Sequence, residues 1–296
     1  MESLWKPNNY PLIVTNSKTF KGSQTTERKT CEAHTMGDLP LTTKDYDDFS
    51  GKIIEQMPLL IAQGRTPLSA ADLMRQRIWA LSQPEDVKNA WWNNYFHLGD
   101  AVLYHPDGKI KIELDSQLLR QLNAQSQLQN GLSLITDETY ITSKGKEFSR
   151  DELLPLDTPL GKTAILSNPL WNYLAREDKL LKEYTEAVFE EGKQFDYDSN
   201  MGIYLRIAPK STPLAGALCV YGFNGGSNLG GDDGLDSGSG RLVGVAPEAH
   251  GENKTCAKRT AQKQAPTLDL VLRTIEQYTA PANRQEIEKA LRKHYK

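Results

Sequence analysis

The spacing of apolar side chains changes character several times along the chain. Over residues 1–50 no period is sustained: Trp5, Tyr10 and the run Leu12–Val14 are isolated apolar points in a polar stretch, which predicts a loosely held arm. Helical spacing begins in TPLSAADLMRQRIWAL. There Thr66 and Pro67 predict an N-cap and first helical position, with Leu73, Met74, Ile78 and Trp79 on or near one face. Pro84 ends that helix. The acids of PEDVKNAWW then fall where the first turn of a second, shorter helix favours negative charge.

The segment AVLYHPDGKIKIEL switches to a period of two. Its Pro106-Asp107-Gly108 turn predicts a β-hairpin, with Ile110, Ile112 and Leu114 facing the core and Lys109, Lys111 and Glu113 facing water. Asp115 is read as the cap of a short helix through Leu118, Leu119 and Leu122, LSLITDETYIT as a second hairpin, and Ser149-x-x-Glu152 as a capping box. The longest helix is expected to start at Asn168-Pro169, to bury Leu170, Leu174, Leu181, Tyr184 and Val188, and to stop at Gly192. Strand-like runs follow at 202–208, 217–223 and 241–246. Two further amphipathic stretches then predict a helical pair, one on Leu268, Val271, Leu272 and Ile275, the other on Ile287, Ala290, Leu291 and Tyr295.

This order of elements predicts an α+β fold: a mostly antiparallel sheet built from hairpins, packed by amphipathic helices, with a C-terminal helical pair. The expected organisation is an arm over 1–50, a globular body over 51–253 and a basic tail over 254–296.

Charge sharpens the last boundary. The 296-residue chain has a formal charge of −3, yet residues 254–296 hold ten Lys and Arg against four acids, a balance of +6 that leaves −9 for residues 1–253. Such segregation points to a tail that contacts something acidic, through Lys289, Arg292 and Lys293 above all. The partners expected of it are a protein, a second copy of the chain or, non-specifically, nucleic acid. A solvated helix surface is the plain alternative. Three scattered cysteines (Cys31, Cys219, Cys256) do not form a disulfide framework, and no run is long and apolar enough to be read as a membrane helix or secretory leader. A soluble, cytoplasmic protein is the expectation.

Candidate chemistry is sparse. NGGSNLGGDDGLDSGSG (224–240) holds seven glycines and three aspartates in seventeen residues. It lacks lysine and a following helix, so it does not fit a phosphate cradle, and Asp232, Asp233 and Asp236 depart from the spacing of known calcium loops. A flexible insert between strands is the expected reading. Leu160-Gly161-Lys162-Thr163 lacks the first glycine of a nucleotide loop, and Cys31/His34 with His250/Cys256 have only loosely zinc-like spacing. The stretch NAWWNNYFHLGDAVLYHPDG gathers Trp91, Trp92, His97, Asp100 and His105. It reads either as a core-filling junction or as an aromatic pocket with acid–base groups. No motif indicates a cofactor.

Two functions follow from these observations. One is a non-enzymatic binding or assembly protein using the basic helical tail. The alternative is a hydrolase-type enzyme with His97, Asp100 and His105 in a pocket at 91–107 and the glycine-rich segment as its lid.

Overall fold

A computed structural model of the chain describes residues 45–195 and 197–247. The expected helical pair of the tail, with Lys289, Arg292 and Lys293, falls outside the described residues, as do Cys31, His34, His250 and Cys256.

The frame is a mixed sheet whose main path places β1 (Tyr46–Ser50), β11 (Arg241–Val245), β3 (Phe96–Tyr104), β9 (Leu214–Val220), β10 (Leu229–Gly230) and β8 (Ile203–Tyr204) side by side. Side branches add β2 (Thr66–Pro67) on β11, and β4 (Ile110–Glu113) with β7 (Lys146–Phe148) on β3. The pair β5 (Leu128–Gln129) and β6 (Leu132–Leu134) joins on β9. The antiparallel expectation holds for the β3–β4 hairpin and the long β3–β9 pairing, but β11 runs parallel to β3 and β10 parallel to β8.

Every residue of β3 and of β9 is buried, because both faces of the sheet are covered. One face packs Phe96, Leu98, Val102 and Tyr104 under α2 (Ala70–Ala80), α3 (Glu85–Trp92), α6 (Lys162–Ser167), α7 (Pro169–Ala175) and α8 (Asp178–Gly192). The other packs Ala101, Leu103, Ala215 and Ala217 against α1 (Ile53–Ala62), α4 (Gln117–Arg120) and Tyr140 of α5 (Asp137–Thr142). The wetted face expected for the hairpin is therefore absent at two positions. Lys111 and Glu113 are buried, the lysine donating to the carbonyl of Tyr140 (2.5 Å) and the glutamate accepting from Ser116 (2.8 Å).

Several local expectations shift for identifiable reasons. Tyr46–Ser50, read as part of the arm, is an edge strand on β11. Thr66 and Pro67 are spent in β2, so α2 starts at Ala70 with Ser69 as its cap, accepting from the amide of Asp72 (3.2 Å). The buried stripe of α2 is Ala70, Leu73, Met74 and Arg77, while Trp79 remains 47% exposed. TDETYIT is helix α5 rather than a returning strand, because Thr136 caps the amide of Thr139 (3.0 Å). The Ser149–Glu152 box forms as expected, each residue accepting from the other's amide.

The long helix from Asn168 is two helices. Asn168 caps α7, but Arg176 adopts a left-handed conformation (φ 64°) and α8 begins two residues later. The break aims Arg176 at Asp115 (2.9 Å) and Asp100 (3.4 Å). Gly192 is the last residue of α8, not a left-handed stop.

Candidate functional site

The residues singled out at 91–107 are dispersed by β3 itself. Its pairing with β9 is irregular between His97 and Ala101, and in that bulge the amide of Gly99 donates to the carbonyl of Leu68 (2.7 Å). The bulge turns Asp100 toward the start of α2. There its carboxylate accepts from the amides of Ala70 (2.7 Å) and Asp115 (3.0 Å) and meets Arg176. Asp100 is wholly buried, and burial raises its pKa to about 6 despite these partners. It ties three segments together.

His105 sits at the far end of the strand, roughly 25 Å from His97 at about 3.3 Å per residue. It is partly exposed, with Nδ1 2.7 Å from Asp107 and Nε2 3.3 Å from Asp137, and its ring lies 4.6 Å from that of Tyr140. His97, Asp100 and His105 thus share no partner among the described residues. Trp91 and Trp92 are interior residues. Trp91 stacks on Phe96 (5.5 Å), and Trp92 meets Phe223 edge-on (5.6 Å) and donates to the carbonyl of Arg77 (2.7 Å).

What the structure brings together lies at the His97 end, beneath the glycine-rich segment. Register places His97 opposite Cys219 on β9 and Leu242 on β11. Tyr95 and Tyr221 stack at 4.9 Å with their planes 12° apart. The Tyr95 hydroxyl donates to Asp233 (2.6 Å), whose carboxylate also lies 3.6 Å from Nε2 of His97. His97 is 1% exposed, and neither ring nitrogen makes a hydrogen bond. Burial lowers its pKa from 6.5 to about 4 against the opposing pull of Asp233. Burial likewise raises the pKa values of Tyr95 and Cys219 well above their ordinary ranges.

The glycine-rich segment is a built part of the body, unlike the flexible insert the sequence suggested. Leu229 and Leu235 are fully buried, and β10 joins the sheet between β9 and β8. Glycine is required where the chain touches its support. A side chain at Gly240 would begin 2.2 Å from Nε2 of His97, and one at Gly222 would begin 2.6 Å from the carbonyl oxygen of Asn93.

Two arginines hold the backbone of this segment and its flanks. Arg77 is wholly buried, and its guanidinium donates to the carbonyls of Trp91 (2.9 Å), Asn94 (3.1 Å) and Tyr221 (2.9 Å) and to the hydroxyls of Tyr184 (2.8 Å) and Ser227 (3.3 Å). None of these acceptors is a carboxylate. The rings of Trp92 and Phe96 lie 5.9 and 5.8 Å from its charge. Arg206 donates twice to the carbonyl of Asp232 (2.9 and 2.5 Å) and once to that of Asn130 (2.6 Å).

The aspartates do not converge. Asp233 serves Tyr95, Asp232 contributes its carbonyl to Arg206, and Asp236 is exposed. Among the described residues no group of three or more His, Cys, Asp or Glu side chains is arranged to hold a metal ion. Gly161 precedes α6, and Lys162, the first residue of that helix, pairs with Glu186 on α8.

Sequence reasoning missed Arg77, Tyr95, Tyr221 and Arg206. For Arg77 a signal existed, since it occupies the i+7 place of the stripe Ala70, Leu73, Met74. For Tyr95 and Tyr221, strand alternation two residues from His97 and Cys219 was the available clue.

No helix among the described residues is long and apolar enough to cross a membrane. No family description and no curated protein matches the chain. A solved structure does, from work on the accommodation of massive sequence variation in Nanoarchaeota by the C-type lectin fold. The match has a TM-score of 0.52 and 16% identity and spans 69% of this chain and 99% of that one. At that identity the likeness is one of architecture, and it gives the α+β body a C-type lectin-like fold.

Proposed function

We propose that the protein is a binding protein that presents the outward side chains of the glycine-rich segment to a macromolecular partner, with the basic tail over 254–296 as a second, electrostatic contact. The observation that carries this reading is how the segment is held. Arg77 and Arg206 grip mainly carbonyl oxygens, and Leu229 and Leu235 anchor it from beneath. The side chains of Asn224, Asp236 and Ser239 are exposed, and the Ser239 hydroxyl bonds within the segment to that of Ser237 (2.7 Å). A loop positioned by a rigid support, with its tips uncommitted, is the usual arrangement of a recognition surface. The solved relative, described as accommodating massive sequence variation on this fold, is consistent with such a division between frame and surface.

A photo-crosslinking residue at Ser239, compared with one at Lys179 on the exposed side of α8, tests the reading in extract from the native host. Discrete adducts from position 239 and none from 179 are expected, and equal labelling at both would overturn it. Deleting 254–296 should weaken capture most at low salt, because exposed charges are screened beyond about 10 Å at 0.1 M.

A further inference from the structure

The buried imidazole beneath the segment has no task in that recognition surface, yet its surroundings are specific. His97 is enclosed by Gly240 in van der Waals contact, by Tyr95 at a ring distance of 4.9 Å, and by Asp233 at 3.6 Å. Neither nitrogen makes a hydrogen bond, and the nearest acceptor for the second N–H that protonation would add, the Asp233 carboxylate at 3.6 Å, lies beyond hydrogen-bond distance in the closed structure. Charging the ring in place would bury a cation 3.6 Å from a carboxylate already engaged by Tyr95. Lifting the 231–240 stretch would instead give Nε2 to water.

From this arrangement we infer that His97, Asp233 and Gly240 form a proton-operated latch: the 231–240 stretch is closed over a neutral His97 and opens when His97 takes up a proton from solvent. The neighbouring half of the segment is held differently, since the Arg77 guanidinium there meets carbonyls and hydroxyls.

The other groups facing His97 leave the switch to it. Tyr95 and Cys219 stay protonated through the acid range because burial holds their pKa values high. Arg241, at the start of β11, is buried and lies 3.4 Å from Asp48. Asp232 and Asp233 complete the set, the former through its backbone contact with Arg206. Asp100 titrates nearby in sequence but at the other side of the bulge, and with the opposite sign. Its raised pKa of about 6 favours the folded body, not the closure of 231–240, as pH falls toward 3.8.

For His97 the sign is plain. Its pKa is lowered from 6.5 to about 4 in the closed form. The open form therefore binds more protons between those values, and closure is lost as pH falls through them.

The consequence for binding rests on the reading that Asp236 and Ser239 contact the partner: opening carries both away, so capture weakens in acid. The latch itself needs no partner to be measured, so it can fail or stand independently of that reading. Amide hydrogen exchange on the full chain, corrected for intrinsic rates, reports it at Leu235, whose amide donates to Gly131 (2.7 Å), and at Arg241, whose amide donates to Tyr95 (2.9 Å).

Between pH 7.5 and 5 the opening constant at these amides should rise on the order of 20-fold. The amides of Tyr221 and Met201, bonded to Asn228 and Gly226, should stay level. His97→Gln should abolish the rise. A rise that persists in His97→Gln, or none in the natural chain, overturns the latch. Should the variant fold poorly, an NMR titration of the His97 ring in the natural chain decides. A ring still neutral at pH 5.5 is expected, and a midpoint near 6.5 contradicts the proposal.

Discussion

The two halves of the glycine-rich segment are held by opposite means. Residues 224–230 and the flanking Tyr221 rest on Arg77, a buried guanidinium whose donors meet carbonyls and hydroxyls among the described residues. Residues 231–240 are held by Arg206 and Leu235 as well, but they also close over Tyr95–Asp233 and an imidazole that has no hydrogen bond built in. The lesson is that burying an ionisable group costs little when its hydrogen bonds are built in, and becomes conditional on pH when they are not. The first half is a fixed mount. The second is a cover with a release.

The largest effect should come from Arg77→Met. It leaves the carbonyls of Asn94 and Tyr221 and the hydroxyl of Tyr184 short of a donor, at about 1–3 kcal/mol each. Chemical unfolding should show a loss of at least about 4 kcal/mol, or no cooperative transition at all. A loss below about 1 kcal/mol would mean the guanidinium is not what fixes the first half.

Gly240→Ala comes next. The added carbon meets His97 at 2.2 Å, and relieving such overlap costs about 1–3 kcal/mol. Shortening the histidine as well should restore part of that loss, and a double-mutant cycle measures the coupling. Tyr95→Phe removes one hydrogen bond to a partly buried carboxylate and should cost about 1 kcal/mol, with the Tyr221 stack kept.

The frame was more legible in the sequence than the site. The β3–β4 turn, the Asn168 cap and the Ser149–Glu152 box are local signals, and each stands where its residues placed it. Errors arose where tertiary contacts overrode local pattern. Lys111 and Glu113 alternate as wetted residues do, but α5 and Ser116 cover them. Arg176 lies within the span of an apolar arc that continues unbroken past it, but its left-handed turn places its charge near Asp100 and Asp115.

The site is non-local throughout. Tyr95 and Asp233 are 138 residues apart, and Arg77 reaches Ser227 across 150. Aspartates spaced without a metal pattern and an arginine on an apolar stripe give no hint of such partners until the sheet is assembled. Glycine at 240 looked like looseness. It is the mark of close packing against His97.

The smallest expected effect tests the central claim most directly, that the body and not the segment's outward side chains holds the segment in place. Replacing Asn224, Asp236 and Ser239 together with alanine and measuring chemical unfolding at pH 7.5 should change stability by no more than about 0.5 kcal/mol. A loss approaching that of Arg77→Met would contradict the claim, because it would show the exposed side chains to be part of the support.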